Sequence, residues 1–354
     1  MLSKRVLAAA MMVMMTGAIF AGCGNDEKGD TKSDVKVGLS TDEGGVNDKS
    51  FNQSAHEGIK KAEKEFGFEY KYVEPKSNED YAENLETLID DGAQLVYGVG
   101  YKMENAIKDV AANYPDTKFL MVDAKIEAPN VQSVTFKEHE GSFLMGVIAG
   151  KMANDGKVGF IGGIDDVLIN RFEVGFAAGV MAVNPEAGKL LADRTTVKYA
   201  NSFSDSTLGY ELAKALYDEG CTVVYHAAGG TGEGMFKATK ELRDNGKDVW
   251  AIGVDMDQAV TTDYGDVILS SMMKEVGTAT YNAAKEMAEG KFEGGKAIEL
   301  GLAENGVGIA PTTDKNTPKD VIELAEKYKK AIVDGKFQVP STIDELKSFV
   351  VPEI

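Results

Sequence analysis

The feature that most constrains this chain is a pattern that occurs twice. Val37-Gly38 is followed fourteen residues later by Phe51 and seven further on by Gly58, and Val158-Gly159 is followed at the same intervals by Phe172 and Gly179. In both places an apolar run enters a polar loop, a phenylalanine opens a helical stretch, and a glycine falls two turns later. Both halves also carry a Gly-rich loop after a third apolar run and a fourth run ending in Val-Asp, at Val122-Asp123 and Val254-Asp255. Matched order over this length indicates an internal repeat, which must be read before any single element.

Within each half, short Val-, Ile- and Gly-rich runs alternate with amphipathic stretches, the pattern of βαβ units in a parallel sheet. KVGLS, FEYKYVE, AQLVYGVG, KFLMVDA and VQSVTF are the strands expected in the first half. KVGFIGG, TTVKYAN, CTVVYHAAGG, VWAIGVD and VILSSMM are those of the second. Near-continuous apolar strands predict sheets covered on both faces. The expectation is an α/β fold of two similar doubly wound parallel-sheet domains joined by several crossovers. Its lobes are 35–138 with 268–305 and 139–267 with 306–354, with the strand after Val267 returning to the first lobe and hinges near Glu138, Val267 and Gly306. Ligands of such sheets bind outside the carboxyl ends of the strands, so two of them create a cleft.

The amino terminus reads as an export signal over 1–22: Lys4 and Arg5, seventeen uncharged residues from Val6 to Gly22, then Cys23. Ala21 and Gly22 before Cys23 resemble a bacterial lipobox, although Phe20 stands where leucine is usual, and imply diacylglyceryl attachment at Cys23. The stretch 23–34 is polar and reads as a flexible tether to a cell membrane on the extracytoplasmic side. With Cys23 acylated, Cys221 has no partner and is expected to be a buried thiol.

Composition removes several classes of function. The chain has 38 Lys and Arg against 57 Asp and Glu, and loss of Lys4 and Arg5 with the leader takes the net charge from −19 to −21. Such a surface repels nucleic acid. His56, His139 and His226 are scattered and unaccompanied by cysteines, which gives a zinc site little support. No cofactor or metal is expected.

Candidate chemistry concentrates in STDEGGVNDKSFNQSA, where Asp42, Asn47, Asp48, Ser50 and Asn52 surround Phe51. An apolar ring among donors and acceptors suits a ligand with an aromatic and a hydroxylated part. The same residues equally describe an N-capping loop with Phe51 in the core. A carboxylate can accept from two vicinal hydroxyls at once.

GGVNDKSFNQSAHEGIKKA, VGFIGGIDDVLINRFEVGFAAGV, AAGGTGEGMF and IGVDMDQ resemble the signatures of the basic membrane protein family, lipoprotein receptors of the type I periplasmic-binding fold that include purine-nucleoside-binding members of ABC transporters. The resemblance implies a non-enzymatic receptor that delivers a nucleoside to a permease. It implies a base between Phe51 and Phe203, Asp42 and Asp48 on the base, Asp255 on the ribose, Gly230 and Gly232 close to the ligand, and Lys274 reaching into the cleft opposite Asp255. A sugar or autoinducer receptor of the same fold is one alternative. An NAD-dependent enzyme is another, since Gly230, Gly232 and Gly234 precede Asp255 at near-Rossmann spacing, but GxGxG is not GxGxxG. A nucleoside hydrolase, using Asp165-Asp166 or Asp42 with Asp48, lacks a nucleophile elbow.

Overall fold

The computed structural model describes residues 35–351, 353 and 354, which form one compact unit; the leader, Cys23 and the tether lie outside the described residues. No helix among the described residues is long and apolar enough to cross a membrane.

Among the described residues twelve strands form two six-stranded sheets. The first holds β1 (Lys36–Ser40), β2 (Glu69–Val73), β3 (Leu95–Val99), β4 (Lys118–Val122) and β5 (Val131–Phe136). The second holds β6 (Lys157–Gly162), β7 (Val197–Tyr199), β8 (Cys221–Ala227), β9 (Trp250–Asp255) and β10 (Ile268–Lys274). Each gains an edge strand late in the chain, β11 (Ala297–Leu300) on the first and β12 (Val307–Ile309) on the second. The strand orders are β11-β5-β4-β3-β1-β2 and β12-β10-β9-β8-β6-β7. Replacing each strand of the first sheet by its counterpart in the second converts one order into the other, so the repeat seen in the sequence is a repeat of topology. All pairings are parallel except β10 with β12.

The helices are α1 (Phe51–Phe66), α2 (Tyr81–Asp90), α3 (Glu104–Asn113), α4 (Glu138–Met152), α5 (Val167–Val183), α6 (Pro185–Ala192), α7 (Ser206–Asp218), α8 (Gly232–Asp244), α9 (Gln258–Thr261), α10 (Val276–Ala288), α11 (Lys319–Val333) and α12 (Ile343–Lys347). The strand after Val267 does not return to the first sheet: β10 pairs with β9, and the chain crosses back only after Lys274. Crossings therefore follow β5, follow β10 and separate β11 from β12. The first two exchange helices between lobes. Helix α4, which follows the fifth strand of the first sheet, packs on α5 and β10, whereas α10 packs on α1. Pattern alone could not place β10, because an apolar strand carries no mark of which sheet it joins.

The repeated glycines are explained by these helix pairs. A Cβ on Gly58 of α1 would collide with the Gly277 carbonyl of α10, and one on Gly179 of α5 with the Phe143 carbonyl of α4. Gly146 and Gly175 extend the second contact, since side chains there would strike Phe176 and His139 backbone. Helix α4 is consequently buried on nearly every side from Gly141 to Gly150. In both lobes glycine lets two helix backbones approach to a distance that any side chain would forbid.

Candidate functional site

The carboxyl ends of both sheets line one cavity holding about 500 Å3 of space between atoms. From the first lobe come Asp42, Asp48, Phe51 and Asn52 after β1, Gly100 and Tyr101 after β3, and Asp123 after β4. The second lobe supplies Leu168, Ile169 and Phe172 from the first two turns of α5, so that Phe172, unlike Phe51, does not open its helix as expected, with Phe203 after β7, Ala227 to Gly229 around the end of β8, Val254 and Asp255 at the end of β9, and Lys274 at the end of β10. The place is the one that open parallel sheets offer to small ligands.

Two groups of polar side chains converge there. In the first, Asn52 donates from Nδ2 to Asp42 Oδ1 at 2.6 Å and to Asp48 Oδ2 at 2.9 Å. Asp48 also accepts from the backbone amides of Ser50, Asn52 and Gln53 at 2.9, 2.9 and 3.0 Å. Both of its oxygens are thus doubly engaged, and the carboxylate braces the start of α1. For Asp48 the N-capping reading is the one realised, although the residue still borders the cavity. Asp42 differs: Oδ1 is held by Asn52 and the Gly44 amide at 2.9 Å, while Oδ2 faces Gly100 with acceptor capacity remaining. Burial pushes the Asp42 carboxyl up to about 6, and the neighbouring carboxylates of Asp48 and Glu43 add to the shift against opposing hydrogen bonds. Asp48 is also raised, by burial.

The second group surrounds Lys274. Its Nζ lies 2.7 Å from Asp123 Oδ2 and 3.2 Å from Glu138 Oε1, all three side chains being almost wholly buried. Three rings enclose the ammonium, Phe51, Phe136 and Phe172, at 5.0, 5.1 and 5.5 Å from Nζ to ring centre. Burial opposes the charge of Lys274, but the carboxylates of Asp123, Glu138 and Asp255 outweigh it and hold the ammonium above the ordinary lysine range. Lys274, expected opposite Asp255, donates its hydrogen bond to Asp123 and pairs ionically with Glu138, while its charge still favours the ionised form of Asp255. Asp255 instead accepts a short bond from Ser50 Oγ of the opposite lobe. Its carboxyl is pushed up to about 7 by burial, which Lys274 and Ser50 only partly offset.

Asp123 is a cavity-lining carboxylate that sequence reasoning did not single out. It ends β4 as Asp255 ends β9, and both have left-handed backbone, with φ of 72° and 67°. Aspartate tolerates that region better than most residues, and it is used twice at corresponding corners of one cavity. Asp123 Oδ1 is buried with no hydrogen-bond partner. The repeated Val-Asp was the signal that could have identified it.

The two aromatic candidates meet the cavity from opposite lobes. Phe51 has Lys274 over its ring, and Phe203 has Lys102 over its ring at 5.3 Å. The glycines are redistributed. Gly229, with φ of 53°, lines the cavity, whereas Gly230 and Gly232 do not. Gly230 stands near Phe203 and Asp48, and Gly232 lies under the ring of His226. Gly234 packs on the Ser206 carbonyl of α7 and so serves helix packing. Asp165 is spent on Arg194 at 2.9 Å, and Asp166 caps α5 through the Leu168 amide at 3.0 Å. Cys221 is buried and unpaired, its thiol pushed up to about 12 by burial. Among the described residues no group of His, Cys, Asp and Glu is placed to hold a metal.

Comparison with known proteins agrees with the two-sheet fold. Residues 35–342 match the Bmp family, described as ABC transporter substrate-binding protein PnrA-like. A CD4+ T-cell-stimulating antigen of Listeria innocua is 42% identical, covering 96% of this chain and 99% of its own length. The ABC transporter nucleoside-binding protein BmpA of Lactococcus lactis is 36% identical, covering 96% and 100%. Among solved structures, an ABC transporter solute-binding protein of Aeropyrum pernix superposes with a TM-score of 0.77 at 28% identity, over 89% of this chain and 96% of that one.

Proposed function

Because the chain belongs to the Bmp family of PnrA-like ABC transporter substrate-binding proteins, which are binding proteins and not enzymes, we propose that it captures a nucleoside, with purine nucleosides preferred, and presents it to its permease. The observation that carries this reading is the division of the cavity into unlike parts. Phe51 and Phe203 present aromatic surface from opposite lobes, while Asp123, paired with Lys274, and Asp255 line the same cavity. A base stacked on a ring gains ~1–3 kcal/mol with little dependence on which base it is. Asp123 Oδ1, which has no protein partner, and Asp255 supply charged acceptors for ribose hydroxyls. Asp42 Oδ2 is the acceptor left for the base edge. The related nucleoside-binding protein from Lactococcus lactis supports the same ligand class.

Four carboxyl groups and one ammonium border the cavity, so a phosphate on the ligand would meet repulsion. The preferred ligand is accordingly a neutral nucleoside and not a nucleotide. Acylation of Cys23 and tethering through 23–34 complete the proposal and would keep the receptor at the outer face of the membrane beside its transporter.

Calorimetric titration with inosine, hypoxanthine, ribose and inosine 5′-monophosphate tests it. Inosine should bind, the monophosphate and ribose should give little heat, and Asp123→Asn and Asp255→Asn should each weaken inosine by about 10- to 100-fold while leaving hypoxanthine nearly unchanged. Heat with ribose and none with any nucleoside would sink the reading.

A further inference from the structure

Gln258 and His226 are both wholly buried just behind the cavity wall and take no part in the binding described above. The side chain of Gln258 accepts at Oε1 from the Val254 amide at 2.8 Å, which fixes which end of the amide is oxygen. His226 Nε2 lies 2.9 Å from the same oxygen, so it carries the proton. Its Nδ1 is then the bare nitrogen, in keeping with the lack of any partner for that atom. Burial holds the imidazole down at about 4, so it remains neutral and the assignment stands across physiological pH. With its oxygen held twice, Gln258 can turn only its NH2 outward. Nε2 donates at 3.0 Å to the carbonyl of Lys49, which belongs to the opposite lobe.

We infer that Gln258 is a positioning residue that latches the closed cleft, with His226 and the Val254 amide aiming its NH2 at the Lys49 carbonyl across the lobe boundary. The glycines around it are cut to fit. A Cβ on Gly253 would lie 2.5 Å from Gln258 Oε1, and one on Gly232 would enter the His226 ring. Gly232, which the cavity does not use, therefore seats the histidine that aims the latch. The recipient is also specialised: Lys49 has φ of 55°, the left-handed conformation that presents its carbonyl while Ser50 beside it bonds Asp255. Two adjacent residues of one loop are thus gripped at once from the second lobe. Glu43 of the same loop accepts from the Phe203 amide at 3.1 Å. Opening the cleft breaks these bonds, so a latch acts on the rate of release and not on the rate of encounter.

This inference rests on the binding-protein reading but not on the identity of the ligand. The test uses full-length protein with Gln258→Glu, which keeps both acceptor contacts and sets a carboxylate oxygen against the Lys49 carbonyl. Surface plasmon resonance should show inosine leaving at least about tenfold faster, with association changed less than about threefold and the ligand-free melting temperature preserved. His226→Phe, which retains the ring packing on Phe236 and loses the Nε2 proton, should give a smaller acceleration in the same direction, and it carries the test if Gln258→Glu does not fold. Unchanged release in both variants overturns the latch. Should wild-type protein ignore inosine, the nucleoside reading fails and the latch is decided by spin labels on the two lobes. Loss of the short-distance population in Gln258→Glu supports it, and identical distance distributions refute it.

Discussion

The two lobes share one strand order and differ in the chemistry of their loops. After β1 the chain runs through Asp42, Glu43, Asp48 and Ser50 before Phe51, and after β6 the equivalent stretch brings Leu168 and Ile169 before Phe172. The first lobe thus lines the cavity with carboxylates and the second mainly with apolar side chains, while both place an aspartate with positive φ at the end of the fourth strand. The frame was duplicated and kept where helices touch through glycine. The loops were free to diverge because they carry little of the packing. Lys274 belongs to neither pattern: it stands on the second sheet, its partner Asp123 on the first, and Glu138 at the crossing between them.

Lys274→Met should therefore have the largest effect and should strike both lobes together. It leaves Asp123 and Glu138 buried beside Asp255 with only Arg171, 3.5 Å from Glu138, as a cation in contact. Removing one partner of a buried ionic network typically costs about 3–5 kcal/mol. Urea unfolding should show that loss at pH 7, with partial recovery at lower pH as Glu138, whose carboxyl burial already raises, takes up a proton. A single domain-like step lost while the other transition persists would show that the lysine serves one lobe only.

Next in size is the glycine pair. Gly58→Ala and Gly179→Ala each force a methyl group against a carbonyl of the neighbouring helix, and overpacking of this kind costs about 1–3 kcal/mol. If the lobes are truly equivalent in frame, the two variants should lose similar stability in denaturant titrations. A large inequality would mean that α4 with α5 and α1 with α10 are alike in outline only.

These pairs also show what the sequence made legible. The spacing of Phe51 and Gly58 against Phe172 and Gly179 identified the repeat because close helix contacts demand glycine at fixed positions. The helix exchange after β5 and β10 was not legible, since it depends on which strands pair, and an apolar strand such as β10 fits either sheet. Edge strands β11 and β12 are only four and three residues long and give no clear period. At the cavity, residue type announced that Phe51 and Asp255 would line it, but partner saturation separates the carboxylates that brace a loop from those with acceptor capacity left. Asp48 and Asp42 look alike in sequence and differ only in how many donors reach them.

The smallest expected effect separates the lobes by pH. Burial raises Asp42 to about 6 and Asp255 to about 7 from an ordinary value of 3.8, so in the folded, ligand-free protein each binds its proton more tightly than in the unfolded chain. Stability from such groups is fully present below the unfolded value and is lost as pH rises through the folded one, with a slope of up to ~1.4 kcal/mol per pH unit for each group in between. Asp48 and Glu138, also raised, act in the same direction. Ligand-free protein should therefore resist urea better at pH 5 than at pH 8. Asp255→Asn should flatten the dependence up to about pH 7, and Asp42→Asn only up to about pH 6, so the two variants should diverge between those values. If Asp255→Asn keeps the wild-type slope in that window, the raised carboxyl lies elsewhere, and the second lobe's aspartate is no more burdened by its burial than the first lobe's.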